Sequence, residues 1–156
     1  MEQFSDYIQN ELGYISITAN SEKIVSVYFS DTEPETEVSN RVVKECKNQL
    51  LEYFSGSRKI FSIPLDLKGT EFQIDVWHEL MKIPFGEVIT YSTLAHRMGD
   101  IKKNRAVGMA NGKNPVGIIV PCHRVVGKNG KLVGYGGGLW RKKWLLDFES
   151  SRLNLK

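Results

Sequence analysis

The 156 residues are 41% hydrophobic and 25% charged, which suits one domain with a real core or two small lobes and argues against disorder or two large domains. The first stretch, MEQFSDYIQNEL, has no basic region followed by an apolar core, and no apolar run nears the ~18 residues that span a bilayer; neither secretion nor membrane insertion is expected. Two cysteines, Cys46 and Cys122, cannot build a disulfide framework, so the expected location is the cytoplasm, or the nucleus in a eukaryote. The net charge of +3 is unevenly spread: residues 1–66 hold 6 Lys/Arg against 11 Asp/Glu, and residues 67–156 hold 15 against 7. Divided after Asp66 into the two expected lobes, 1–66 and 67–156, the chain is acidic in the first and basic in the second, so either the second alone meets a polyanion or it simply carries a solvated basic surface.

In chain order, Tyr14 to Ala19 and Val25 to Phe29 alternate apolar and polar residues around a turn-like Asn20-Ser21-Glu22-Lys23. This predicts a hairpin, with Phe4 to Ile8 as a third strand. DTEPETE then offers Asp31 or Thr32 as an N-cap, a proline near a helix start and acids in the first turn. Val38, Val42, Val43, Cys46 and Leu50 follow at helical spacing, which makes Cys46 a small core hydrophobe. Ser55-Gly56-Ser57 ends that helix, and Lys59 to Leu67 reads as extended.

From Gly69 the pattern becomes a run of short helices. Thr70 and Gln73 fit a capping box, Phe72, Val76, Trp77 and Leu80 share a face, and Pro84 stops the helix. TYSTLAHRMG and NRAVGMANG predict two further helices joined by a tight glycine-containing turn, the layout of a helix-turn-helix. The second carries small residues, Ala106, Gly108, Ala110 and Gly112, which suit either close approach to a ~6 Å minor groove or tight packing on another helix. Its one cation, Arg105, stands at the N-terminal end, where the helix dipole favours anions. Either the side chain is simply solvated, or it projects toward phosphate or a base stack.

Ile118-Ile119-Val120 reads as a buried strand ended by Pro121, with Cys122 presented at its end. Structural zinc needs about four ligands, and Cys46, Cys122, His78, His96 and His123 show no finger-like spacing. Neighbours on an extended strand face opposite ways, so His123 would not take the proton of Cys122 directly. A water relay, or electrostatic help from Arg124, would reconcile the pair with a nucleophilic role. A cysteine hydrolase and a purely structural cysteine are the competing accounts.

PCHRVVG, with RAVG upstream, NP between them and GYGGGLWRKKWLLDFE after, resembles the O6-alkylguanine-DNA alkyltransferases; the likeness extends upstream through GTEFQIDVWHELMKIPFGEVITY. It is specific from Gly69 to Glu149 and general in residues 1–66. The resemblance implies an α+β protein: a small N-terminal lobe with an antiparallel sheet and helix in a ribonuclease-H-like layout, and a mostly helical C-terminal lobe with a winged-helix-like helix-turn-helix. It implies suicide repair, in which one alkyl group passes irreversibly from O6 of guanine, or O4 of thymine, to Cys122.

By the same resemblance His123 is the base, working through a water, Glu149 holds His123, and Tyr91 donates to the guanine ring. Carbonyls of Cys122 and Val125 accept from the exocyclic amine, Tyr135 lines the alkyl pocket, and Asn114 ties the recognition helix to the active-site turn. Gly136 stands where some relatives have serine, leaving only a backbone N–H for O6. The DNA-facing set is Arg105, which fills the place of a flipped base, with Ala106, Gly108, Lys102, Lys103 and Arg124. The implied partner is duplex DNA containing O6-alkylguanine, bound through its minor groove by a monomer without cofactor, metal or membrane. The alternative is an alkyltransferase-like protein that binds lesions without transfer, which Cys122 disfavours because such proteins lack the acceptor cysteine.

Overall fold

The computed structural model describes residues 2–153 and is mixed α+β. It divides into two compact units, one running to Lys68 and including Pro115–Gly117, the other formed by Gly69–Asn114 and the chain from Ile118 onward. A boundary drawn once at 66/67 does not anticipate the return of Pro115–Gly117 to the first unit. Residues 154–156 of the expected second lobe lie outside the described residues.

In the first unit, β1 (Phe4–Asn10), β2 (Gly13–Ala19) and β3 (Ile24–Ser30) form an antiparallel sheet in the order β1-β2-β3. The sheet buries Ile8, Ile15, Ile17, Ile24 and Val27 in the core, each contributing roughly 1.5–3 kcal/mol. Against the sheet packs α1 (Arg41–Ser55), burying Val42, Val43, Cys46, Leu50 and Tyr53. Burial pushes the Cys46 thiol up to about 12, the behaviour of a packed hydrophobe. Gly56 closes α1 at φ 88°, a left-handed conformation that suits glycine.

The helix starts later than DTEPETE suggests. Asn40 is the N-cap, its side chain accepting from the Val43 N–H at 3.0 Å, and residues 31–40 are irregular. The acids of that stretch would crowd one helical turn, whereas irregular backbone lets Ser5 N–H donate to Val38 O and Glu37 N–H donate to Ser5 Oγ. Val38 is consequently exposed rather than part of the buried stripe. Of the stretch expected to be extended, Leu65 bridges to Ile24.

The second unit contains α2 (Glu71–Leu80), α3 (Tyr91–Arg97), α4 (Asn104–Gly112) and α5 (Leu139–Leu153). Thr70 and Gln73 form the reciprocal capping box, and Thr90 caps α3. A left-handed Gly99 and a single 3-10 turn, Ile101–Lys103, lead from α3 into α4. Trp77 Nε1 donates to Ala110 O at 2.8 Å, and Asn104 Nδ2 donates to Ser92 Oγ at 3.1 Å, so α4 is fastened to both α2 and α3. Two short strands unseen in the sequence pattern, β4 (Ile89–Thr90) and β5 (Val125–Val126), pair in parallel.

Ile118-Ile119-Val120 is not a strand. After Gly117 N–H donates to Val27 O, the chain turns, and Ile118 adopts a left-handed φ of 69° that is uncommon for a β-branched residue. A short apolar run cannot be told from a strand by periodicity alone, and here burial comes from a packed turn. Among the described residues, no helix is long and apolar enough to cross a membrane.

Candidate active site and nucleic-acid interface

The opening segment of the site is a 3-10 turn, Cys122–Arg124, immediately after Pro121. It replaces the expected strand end, and all three of its side chains are buried, Cys122 being 7% exposed. Opposed strand faces are therefore not what separates Cys122 from His123. His123 instead turns its Nε2 toward Glu149 Oε2, 2.7 Å away.

Glu149 is fully buried in α5, where pattern alone would leave it solvated. Arg124 Nε and Nη2 donate to its two oxygens at 2.8 and 3.0 Å, and the Gly86 N–H donates to Oε1 at 3.2 Å. Burial pushes its carboxyl up, but His123 and Arg124 outweigh that and hold it well below the usual carboxylate range. An ionised carboxylate only accepts, so Nε2 of His123 carries the hydrogen. Burial pushes His123 below its ordinary value, and Arg124 and Lys142 add to the effect, while the hydrogen bond and charge of Glu149 oppose it. The imidazole is thus neutral, with a basic Nδ1 that is buried and has no hydrogen-bond partner among the described residues.

Arg124 does not fit a DNA-contacting role. Its guanidinium is spent on Glu149 and on Ile83 O at 2.7 Å, and the residue is only 6% exposed. For the same reason it is not the cation that favours thiolate; the charge acting on Cys122 in that direction is Lys142. Burial raises the Cys122 thiol above its ordinary value, opposed by an Asn114 side-chain hydrogen bond and by Lys142.

Several groups tie this turn to α4. Asn114 Nδ2 donates to Val120 O at 2.7 Å, and buried Asn111 Nδ2 donates to Cys122 O at 3.3 Å. The Val125 N–H also reaches the Cys122 carbonyl, so an incoming amine would share or displace existing donors there. Val125 itself is fully buried in β5. Asn111 escaped the sequence reading because a polar residue near a helix end looks solvent-facing until the fold buries it.

Around the thiol stand Tyr91, at the start of α3, and Tyr135, in the loop before α5. Burial and Cys122 push both phenols up, Tyr135 well above its ordinary value, so both remain protonated donors. Tyr91 Oη donates to Val133 O at 3.1 Å. Gly136 is exposed, and a Cβ there would meet only Gly112 O, at 4.0 Å. Lys142, another residue the sequence reading passed over, is fully buried on α5. Its place in the run Arg141-Lys142-Lys143, although one turn before Leu145, gave no hint of a buried charge.

Arg105, Ala106, Lys102 and Lys103 are all exposed on the 3-10 turn and the first turn of α4, while Gly108 is half-buried. Lys103 also lies over the Phe72 ring, 5.6 Å from its centroid. Among the described residues, no group of three or more His, Cys, Asp or Glu is placed to hold a metal ion.

Residues 4–67 match the family described as 6-O-methylguanine DNA methyltransferase, ribonuclease-like domain, and residues 71–151 match its DNA binding domain. A methylated-DNA–protein-cysteine methyltransferase of Methanosarcina acetivorans is 43% identical over 149 residues, covering 92% of this chain and 96% of that protein. The crystal structure of Mycobacterium tuberculosis O6-methylguanine methyltransferase superposes with a TM-score of 0.87 at 38% identity, over 97% of this chain and 94% of that one. A crystal structure of Mycobacterium tuberculosis OGT in complex with DNA gives a TM-score of 0.85 at 40% identity, over 94% and 92%. With a fold, a cysteine-bearing turn and both domain matches in agreement, the chain belongs to the 6-O-methylguanine DNA methyltransferase family, the methylated-DNA–protein-cysteine methyltransferases of DNA repair.

Proposed function

We propose that Cys122 is the acceptor in an irreversible, single-turnover transfer of a methyl or larger alkyl group from O6 of guanine, and from O4 of thymine where that base can enter. The observation that carries this reading is the neutral His123, its Nε2 fixed on Glu149 and its buried Nδ1 left without a partner beside the thiol's turn. A bridging water passes the Cys122 proton to Nδ1. The thiolate then attacks the alkyl carbon, the S–C bond forms, the C–O6 bond breaks and its electron pair leaves with the base. The base takes up a proton at N1, which balances the one lost by the thiol, and Tyr91 donates to the ring to offset its developing charge. A thioether does not hydrolyse, so the protein is consumed.

A guanine inside a duplex cannot reach a buried thiol, so the base must swing out, at a cost of a few kcal/mol. Arg105 fills the vacated place in the stack. The small-residue face at Ala106 and Gly108 enters the minor groove, Lys102 and Lys103 meet phosphates, and Val125, Tyr135, Gly136 and Asn114 shape the pocket of a protein acting as a monomer.

Mass measurement after incubation with duplex DNA containing O6-methylguanine tests the reading. One methyl group on the Cys122 peptide is expected, and Cys122→Ala should bind DNA without accepting the group. An unmodified wild type that binds tightly would instead mark a lesion-binding protein, and repeated turnover would mark a hydrolase. Arg105→Ala should slow repair in duplex DNA far more than reaction with free O6-benzylguanine; equal slowing would overturn its role in the stack.

A further inference from the structure

The loop between α2 and β4 holds both members of the buried ion pair. Arg124 Nη1 donates to Ile83 O at 2.7 Å, and the Gly86 N–H donates to Glu149 Oε1 at 3.2 Å. One short stretch of backbone thus grips the cation through a carbonyl and the anion through an amide. Between these two points the Phe85 ring, itself buried, lies with its centroid 5.8 Å from the guanidinium carbon and covers one side of the pair. A bidentate fork fixes the plane of a carboxylate but not where the pair sits in the protein. Ile83 and Gly86 supply that missing reference.

The Glu87 N–H donates to Pro84 O at 3.1 Å, closing a turn whose third residue, Gly86, has φ 83°, the left-handed conformation that a type II turn asks of glycine. Because the turn's own hydrogen bond uses the Glu87 N–H, the Gly86 N–H is left to reach Glu149. A Cβ on Gly86 would stand 2.4 Å from Leu153 Cδ1 and 2.6 Å from its Cγ, so the end of α5 lies directly on this glycine. A side chain there would meet an unfavourable backbone conformation and would also have to displace Leu153.

We propose that Gly86 is a positioning residue of the reaction: its N–H engages Glu149 Oε1, which keeps Oε2 aligned on His123 Nε2 and so keeps the imidazole hydrogen off Nδ1. Oε1 accepts from Arg124 Nε and Gly86, whereas Oε2 accepts from Arg124 Nη2 and His123. The tautomer of a neutral imidazole is selected by the hydrogen bonds its nitrogens make. A carboxylate free to drift with Arg124 loosens that selection, and a hydrogen on Nδ1 leaves no base to receive the thiol proton. The effect on rate rests on the alkyl-transfer reading, whereas the effect on the tautomer does not.

Two readouts near neutral pH test this in wild type, Gly86→Ala and Gly99→Ala, each checked for native circular dichroism. Gly99 controls for backbone strain, being left-handed at φ 93° with nothing within 4 Å of an added Cβ. Reaction with free O6-benzylguanine should slow about tenfold in Gly86→Ala, as loss of a hydrogen bond to a charged group implies, and should stay near the wild-type rate in Gly99→Ala. Of the three histidines only His123 is buried, so nitrogen-15 spectra distinguish its ring. Wild type and Gly99→Ala should show one His123 tautomer, with the hydrogen on Nε2, and Gly86→Ala a mixture of two. A single tautomer in Gly86→Ala, a mixture already present in wild type, or equal slowing by Gly99→Ala would each overturn the proposal. So would a mixture that leaves the rate unchanged. Should Gly86→Ala not fold, Leu153→Ala replaces it: with its cover gone, the Gly86 amide should exchange faster with deuterium and the second tautomer should appear. An unchanged tautomer there overturns the proposal. A wild type that accepts no methyl from DNA, yet loses its single tautomer in Gly86→Ala, would sink alkyl transfer and leave the positioning of His123 standing.

Discussion

Glu149 joins stability to chemistry through one carboxylate. Its oxygens take hydrogen bonds from His123, from Arg124 and from the Gly86 N–H, with no solvent to share the task. A carboxyl held below its unfolded value favours the native state above the ordinary carboxylate range, and that contribution disappears as pH falls through and below it. Wild-type unfolding free energy should therefore drop as pH is lowered from about 5, where an unperturbed Glu begins to protonate. Glu149→Gln leaves Arg124 buried without a counter-ion and should cost about 3 kcal/mol at neutral pH. It should also flatten the acid limb, because the group responsible no longer titrates. Urea unfolding of both proteins between pH 3 and 7 checks this, and parallel curves would contradict it. Gln keeps an oxygen for the imidazole but loses the charge that orients it, so alkyl transfer should fall more than DNA binding.

At the scale of elements, α4 unites two needs that pull its sequence in different directions. Trp77 and Asn104 fasten it to α2 and α3, and Val107, Ala110 and Asn111 are its buried side. Gly108 is not demanded by that packing, since an added Cβ would meet only Tyr91 ring carbons at 3.7 and 3.8 Å, an ordinary contact. Gly108→Ala should thus stabilise the protein by about 0.5–1 kcal/mol through helix propensity. If the helix enters a groove, the same methyl should weaken duplex binding several-fold. Thermal denaturation and DNA titration measure the two effects, and gain in both would argue that α4 does not press into DNA. Elements of this kind were legible where the signal is local: the Thr70–Gln73 box, the Gly56 stop and the helix spanning Asn104–Gly112 are written in adjacent residues. The 118–120 turn was not, because its hydrophobicity is that of a strand and only the pairing of Gly117 with Val27 shows where the ladder ends. Arg124 and Lys142 were misread or missed because a cation's burial depends on partners that arrive from distant segments, Ile83 and Glu149 for one, Val133 and Gly134 for the other.

For the whole molecule, the charge division of the sequence makes a prediction that no single contact does. Residues 1–66 are net −5 and residues 67–156 net +8, so the counterions released on binding a duplex should come from the second unit's side chains. Observed affinity falls with salt at a slope of roughly −0.9 per phosphate neutralised, and a lysine that meets phosphate contributes about one unit of slope. Lys102 and Lys103 are exposed beside the first turn of α4, and Lys44 is exposed on α1 of the acidic unit. Replacing Lys102 and Lys103 together by Gln should lower the slope by nearly two and weaken lesion-containing and undamaged duplex by the same factor, because phosphates carry no sequence. Lys44→Gln should leave the slope unchanged, although it alters net charge by one, since a charge remote from phosphate displaces no counterion. Fluorescence anisotropy titrations between about 50 and 200 mM salt, the range over which such slopes are read, separate the alternatives. An equal response to the Lys44 substitution would mean that net charge alone governs binding; an unequal one assigns the electrostatic footprint to the basic lobe.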